Sequence, residues 1–227
     1  MISFIIATKF KSPFVGKLIE LIITESGPNS ELILINQTDR RLDKLVAPNL
    51  KVIEAGQDNG KNQAWNIGVE RATKKYICLV DDDILFNVLG FVRSVKEMNP
   101  AEINLVGVNN SSFVEQGINT TKDVIRLGAS DQFVNTGFGS MMLMHRSTWF
   151  KIPADIKEYY AANLLFFYFK NSLKKTVHTF DGLKIMSIKD SKTQQIPKGN
   201  PDTKGYQAAI ESLTPGAKVT IVTSNEI

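Results

Sequence analysis

Cysteine is nearly absent: Cys78 is the only one in 227 residues. One thiol cannot make an intrachain disulfide, so the fold rests on its core, and the usage suits a reducing compartment. Long apolar runs are also missing, and none approaches the ~20 residues of a membrane span. Met1 to Phe10 is too short for a signal peptide and reads as a first strand, so the expected setting is cytoplasmic. The chain shows no repeat, no low-complexity tract and no clear linker. No glycine-rich phosphate loop follows the first strand, which argues against a nucleotidyltransferase. Only two histidines occur, His145 and His178, both expected in strands and read as structural rather than as metal ligands. Arginine is absent between Lys151 and Lys204, where ten lysines face five carboxylates. That excess of +5 exceeds the formal net charge of the whole chain, +4. Such a lysine-rich region is either a solvated surface or a partner for phosphate backbones, anionic membranes or nucleotides.

What is present is an ordinary globular composition, 43% apolar and 22% charged. Strands are expected at Ile2–Ala7, Glu31–Asn36, Leu50–Glu54, Tyr76–Val80 and Asn104–Val108. Helices are expected between them: one from Ser12-Pro13 to Gly27, a short one from Arg40 to Val46, one from Lys61 to Thr73, and one burying Val88, Phe91, Val92 and Val95. The third would bury Ala64, Ile67, Gly68 and Ala72. This alternation predicts an α/β fold with a doubly wound, largely parallel sheet. After residue 110 the pattern changes to strand candidates at Asp123–Leu127, Ser140–His145, Leu183–Ile188 and Lys218–Thr223. An aromatic-rich helix is expected over Ile156–Lys170, and a last helix capped by Asp202 with Tyr206, Ala209, Ile210 and Leu213 on one face. One domain of 1–227 is expected, with a ligand-binding half at 1–110 and a second, mixed α+β half at 111–227.

The most informative segment is Tyr76-Ile-Cys-Leu-Val-Asp-Asp-Asp-Ile84, a buried strand running into three carboxylates. At the carboxyl edge of an open α/β sheet, this is where ligands sit. Strand alternation would turn Asp81 and Asp83 one way and Asp82 the other. Like charges so close need a cation or donors, and oxygen ligands suit Mg²⁺ or Mn²⁺ shared with substrate phosphates. A solvated acidic turn is the plain alternative. Three more loops should reach the same edge: Thr8-Lys9, Gln37-Thr38-Asp39 and Asp58-Asn59-Gly60.

In order and spacing this set resembles the family 2 glycosyltransferases of the GT-A fold, in their short, bacteriophage-like form. The elements that carry it are Ser3-Phe-Ile-Ile-Ala-Thr8, Asn36-Gln-Thr-Asp39, Asp58-Asn59-Gly60 with Asn66-Ile67-Gly68, and Asp81-x-Asp83. The resemblance covers residues 2–90, and Gly137-Phe-Gly-Ser-Met-Met-Leu-Met-His-Arg146 matches a later block. It implies an inverting, metal-dependent transfer from a nucleotide diphosphate sugar, most often a UDP-sugar. Thr8, Lys9, Asp39, Gly60, Lys61, Asn66, Asp81 and Asp82 would then contact the donor. Asp83, with Asp81, would hold Mn²⁺ or Mg²⁺. The positive end of the helix at Gly60-Lys61 would face the diphosphate. Plainer roles exist: Asn66 capping or bonding backbone within its own helix, Gly68 allowing close packing, Asp39 capping the helix from Arg40.

The second half departs from the pattern. The resemblance leads to an acidic pair at the start of the long helix as general base, yet Ala162 and Asn163 stand there. Glu158, Asp155, Asn163 and Asp131 are the substitutes in reach, or the base is lost and the chain only binds. A metal-binding His before Ser191-Lys-Thr193 is also missing, with Lys189 and Asp190 in its place. Gly139, Lys174 and Lys175 are assigned to the acceptor. A hydroxymethylated cytosine in phage DNA is one acceptor; surface saccharide, lipid carrier and protein are the others. Oligomeric state is open.

Overall fold

The computed structural model describes residues 1–39, 41–56, 59–115, 118, 125–129, 137–187 and 200–213. β1 (Ile2–Thr8), α1 (Val15–Glu25), β2 (Glu31–Asn36) and β3 (Leu50–Glu54) come first. α2 (Lys61–Arg71), β4 (Tyr76–Val80), β5 (Ile84–Phe86), α3 (Val88–Glu97) and β6 (Leu105–Val108) complete the first half. β7 (Arg126–Ala129), β8 (Met141–His145), α4 (Ala161–Phe167), β9 (Val177–Asp181), β10 (Ile185–Ser187) and α5 (Asp202–Leu213) follow.

Eight strands form one sheet in the order β3-β2-β1-β4-β8-β6-β9-β7, while β5 and β10 make a separate antiparallel pair. β3, β2, β1 and β4 are mutually parallel. β8 runs antiparallel between β4 and β6, and β7 antiparallel along β9. The sheet is therefore mostly parallel, as expected. β4 is fully buried, but it is parallel to a neighbour on one side only. Among the described residues, no helix is long and apolar enough to cross a membrane.

Side-chain alternation along β1 builds two cores. Ile2, Phe4 and Ile6 join Leu18 and Ile22 of α1 and Phe91 and Val95 of α3. Ile5 and Ala7 face the other way, toward Ala64, Trp65 and Val69 of α2, Leu164 and Leu165 of α4, and Ile210 of α5. Each fully buried aliphatic or aromatic side chain contributes about 1.5–3 kcal/mol. The α3 face is Val88, Phe91, Val92 and Val95, as its periodicity predicts. On α2 the load is carried by Trp65 and Val69, with Ile67 only partly buried. Gly68 has a packing role: a Cβ there would lie 2.3 Å from Ile5 Cγ2.

Several expectations are corrected. Ser12 does not cap α1 directly; its Oγ accepts from Phe14 N at 3.1 Å, and the helix begins at Val15. No helix forms over the described residues 41–49, where chain turns instead lead into β3. β10 falls within the strand expected at Leu183–Ile188, whereas β5 and β9 match none of the expected strand ranges. The helix expected from Ile156 begins only at Ala161, because Tyr160 takes a left-handed φ of 63°. It ends in a π-helical turn over Tyr168–Ser172. Lys218–Thr223 and the start of the strand expected from Asp123 lie outside the described residues.

Candidate active site

Four parallel strands bring the loops after β1, β2, β3 and β4 to one edge. There Thr8 is buried, and its hydroxyl donates to Asp82 Oδ2 at 2.6 Å while accepting from Phe10 N at 2.8 Å. Asp81 N donates to Ser140 O at 2.9 Å, so the triplet is tied to the turn before β8. Lys61 Nζ reaches Asp81 Oδ1 at 3.1 Å and sits 4.8 Å from the centre of the Trp65 ring. Asp83 is only 8% exposed. The triplet itself is a turn, so strand alternation stops at Val80 and does not orient Asp81 and Asp83 together. Asp82 and Asp81 are instead fixed by Thr8 and Lys61.

Around this edge, Gln37 Nε2 donates to Gly60 O at 3.1 Å, joining the loop after β2 to the start of α2. Asn36 Nδ2 donates to Glu54 Oε2 at 2.5 Å, and Asn36 Oδ1 accepts from the Thr38 hydroxyl at 2.8 Å. Asp39 is exposed beyond that turn, and Asp58 and Arg40 lie outside the described residues.

The start of α2 faces protein backbone. Gly60 has φ 83°, and a Cβ there would meet Lys157 O at 2.6 Å. Asn62 N donates to Lys157 O at 2.8 Å, so this end of the helix is partly taken up by a carbonyl. Asn66 is likewise occupied: its Nδ2 donates to Ile152 O at 2.8 Å and its Oδ1 accepts from Ile152 N at 3.0 Å. Gln63 Nε2 adds a bond to Pro153 O at 2.8 Å. These amides stitch α2 to the segment before α4, so Asn66 bonds backbone outside its helix rather than within it.

That segment carries the second-half candidates. Glu158 Oε1 lies 3.7 Å from Lys9 Nζ, which brings it to the end of β1. Asp155 lies over α5, with its carboxyl 2.5 Å from where a Cβ on Gly205 would stand. Ala162 Cβ would lie 2.9 Å from a Cβ on Gly139, one residue from the Ser140 carbonyl that accepts from Asp81. Asn163 follows, half-buried on the first turn of α4. Asp202 was read as a helix cap, but its carboxylate accepts from Glu158 N and Tyr159 N, both at 2.8 Å. The α5 start is capped by Asn200 instead, whose Oδ1 accepts from Asp202 N at 2.8 Å.

Lys174 and Lys175 are not beside these groups. They precede β9, which enters the sheet at Val177 opposite Leu105, the first residue of β6. α4 starts near the triplet and runs back across the sheet, so its far end lies at the amino edge. Both lysines assigned to the acceptor therefore stand at the edge opposite the carboxylate triplet. Asp131, Lys189, Asp190, Lys192, Lys198 and Ser191-Lys-Thr193 lie outside the described residues. Ser187, the last described residue before several of these, pairs with Ile84 next to Asp83. His145 ends β8 at the amino edge, and burial with nearby Lys75 and Arg146 pushes its pKa down. His178 lies in β9.

No group of three or more His, Cys, Asp or Glu close enough to hold a metal ion is present among the described residues. The donor chemistry nonetheless fits a hard cation: Asp81 and Asp83 offer only oxygens, as Mg²⁺ and Mn²⁺ prefer when phosphates complete the shell.

Residues 3–109 match the family model described as Glycosyl transferase family 2. A search of curated proteins finds no match. Among solved structures, GalNAc-T7 with UDP, GalNAc and Mn²⁺ superposes with a TM-score of 0.68 at 14% identity, over 93% of this chain and 47% of that one. TarS 1-349 from S. aureus in complex with UDP-GlcNAc gives 0.63 at 11% identity, over 96% and 68%. The mannosyltransferase PcManGT from Pyrobaculum calidifontis, in complex with GDP-Man and Mn²⁺, gives 0.53 at 16% identity, over 88% and 58%. At these identities the likeness is one of fold, and the chain spans about half the length of GalNAc-T7.

Proposed function

From the match of residues 3–109 to the family model described as Glycosyl transferase family 2, we propose that this chain transfers a sugar from a nucleotide diphosphate donor to an acceptor hydroxyl, with inversion. The observation that carries the reading is the convergence of Thr8, Lys61 and Asp81 to Asp83 at one sheet edge. The structural neighbours with bound UDP, UDP-GlcNAc and GDP-Man support a nucleotide diphosphate sugar, and a uridine donor is the first to test. Thr8 and Asp82 would meet the nucleoside side, and the Lys61 ammonium would meet the diphosphate. Asp83, with Asp81, would hold Mn²⁺ or Mg²⁺, which neutralises charge on the leaving diphosphate when bound. Glu158 is the carboxylate best placed to take the acceptor proton: it is exposed, and it reaches the end of β1 through Lys9.

A saccharide, lipid-carrier or protein hydroxyl is the acceptor class to favour. A hydroxymethylated DNA base rests on lysine charge and on analogy with short phage-like chains, and Lys174 and Lys175 lie at the opposite edge. A second reading, a sugar-nucleotide binder without turnover, is favoured by one feature: the small Ala162 beside Gly139, where an acid was expected.

Calorimetry with UDP and GDP in Mn²⁺ and in chelator tests the donor site. Release of nucleotide from a panel of nucleotide sugars, with and without saccharide acceptors, then separates enzyme from binder. Absence of both UDP and GDP binding would overturn the reading.

A further inference from the structure

Asp202 is 3% exposed, more than forty residues along the chain from the turn it holds. One carboxylate oxygen accepts from two successive amides, Glu158 N and Tyr159 N, each at 2.8 Å. Charge-assisted bonds of this kind are about twice as strong as neutral ones. Asp202 is itself fixed, since Asn200, 8% exposed, accepts from Asp202 N through Oδ1 and from Thr203 N through its carbonyl. On the next residue, Tyr160 stacks on Tyr206 of α5 with ring centres 4.8 Å apart and planes 9° apart. The Tyr160 hydroxyl lies 3.0 Å from Thr203 Oγ1. From the opposite side, Asn62 Nδ2 donates to Tyr159 O at 3.0 Å and Asn62 N to Lys157 O.

The turn at 157–160 is thus clamped between α2 and α5. Its side-chain products face the site: Glu158 goes to Lys9, and the left-handed Tyr160 starts α4 at Ala161, so that Ala162 packs on Gly139. We infer that Asp202 is a positioning residue that holds Glu158 and the start of α4 at the acceptor side of the site. The inference rests on the nucleotide-sugar reading for its kinetic consequence, but its structural part does not.

The test uses the full chain with Asp202→Asn and Asp202→Ala. Amide exchange by NMR should show Glu158 and Tyr159 exchanging at least about tenfold faster in Asp202→Ala, with β1 and β4 amides unchanged. UDP affinity in Mn²⁺ should stay within about threefold of wild type. Turnover of UDP-GlcNAc should fall at least about tenfold in kcat, with Asp202→Asn intermediate because its amide oxygen still accepts. Combined with Glu158→Gln, Asp202→Ala should add little to the loss from Glu158→Gln alone. Unchanged exchange at both amides overturns the clamp. Unchanged kcat in either folded variant, full additivity, or parallel loss of UDP binding overturns the positioning role. Should Asp202→Ala fail to fold, Asp202→Asn decides by the same readouts. A wild type that binds neither UDP nor GDP while the amides still respond would sink the donor assignment, and with it the kinetic role, and leave the clamp standing.

Discussion

Lys61 Nζ lies 3.1 Å from Asp81 Oδ1 while sitting over the face of Trp65, so one ammonium joins the start of α2 to the carboxylate turn after β4. Without a donor, that ammonium offsets part of the triplet's charge. With a diphosphate in place, it has a second anion to meet. Lys61→Met is therefore expected to weaken UDP binding by about tenfold or more, the scale of one charged hydrogen bond. Uridine binding should hardly change. Calorimetry with both ligands checks it, and equal losses would remove Lys61 from the diphosphate.

Asp83 is buried at the same turn, where a bound cation would favour its charged form. Asp83→Asn should cancel the difference between UDP affinity in Mn²⁺ and in chelator. If wild type binds UDP equally well in chelator, the metal assignment fails.

Glu158 should matter to turnover and not to donor capture. Glu158→Gln is expected to lower kcat by ~10²-fold or more, the range for a general base, with UDP affinity nearly intact. If Ala162→Asp restores the loss, an acid at the helix start can serve instead. Full activity in Glu158→Gln would send the search for the base elsewhere.

Lys174 and Lys175 stand at the far edge of the sheet. Replacing both with Ala should leave donor binding and turnover unchanged within about twofold. Should duplex DNA bind, its salt dependence should not flatten in this variant, where each phosphate contact is worth a log-log slope of roughly −0.9. A flattened slope together with lost turnover would bring the DNA acceptor back.

Glu31 supplies the acid limit. Burial raises the pKa of its carboxyl, but Lys51, Ser3 and the amide and hydroxyl of Thr73 outweigh that and bring it to about 2, from 4.5. Bonds of 2.6 to 2.8 Å from Ser3 and Thr73 accompany the Lys51 pair at 2.7 Å. A lowered folded pKa means stability that is present above pH 4.5 and lost as pH falls toward 2. Because Lys51 is half exposed, Glu31→Gln should cost about 1–3 kcal/mol at neutral pH. Urea melts of both proteins should converge as pH drops through that window; a constant gap would contradict the linkage.

What was legible in the chain is what local pattern encodes. The run Tyr76 to Val80 and the Phe91, Val92, Val95 spacing each imply burial directly, and both elements form where expected. Long-range pairing was not legible: nothing in Met141 to His145 says that it wedges antiparallel between β4 and β6. The late start of α4 was hidden because the residues that prevent an earlier one, Asn62 and Asp202, are about a hundred and about forty positions away. Asp202 was misassigned for the same reason, since a capping acid and a tertiary clamp look alike in sequence. Lysine counting suggested a basic face, but charge composition carries no geometry, and the far end of α4 fell at the wrong edge.

The placement of β8 also sets an order of events during synthesis. β4 is the apolar strand Tyr-Ile-Cys-Leu-Val, and one flank pairs with β1 as soon as residue 80 has emerged. The other flank must wait for Met141 to His145, about sixty residues later. Until then the nascent chain presents an unsatisfied row of backbone donors and acceptors along a wholly buried apolar strand, the kind of edge that recruits other chains. A fragment ending near residue 109, where the family match stops, would keep that edge open permanently. It should therefore collect in aggregates or on chaperones, and the boundary that sequence comparison draws is not one at which the polypeptide can be cut.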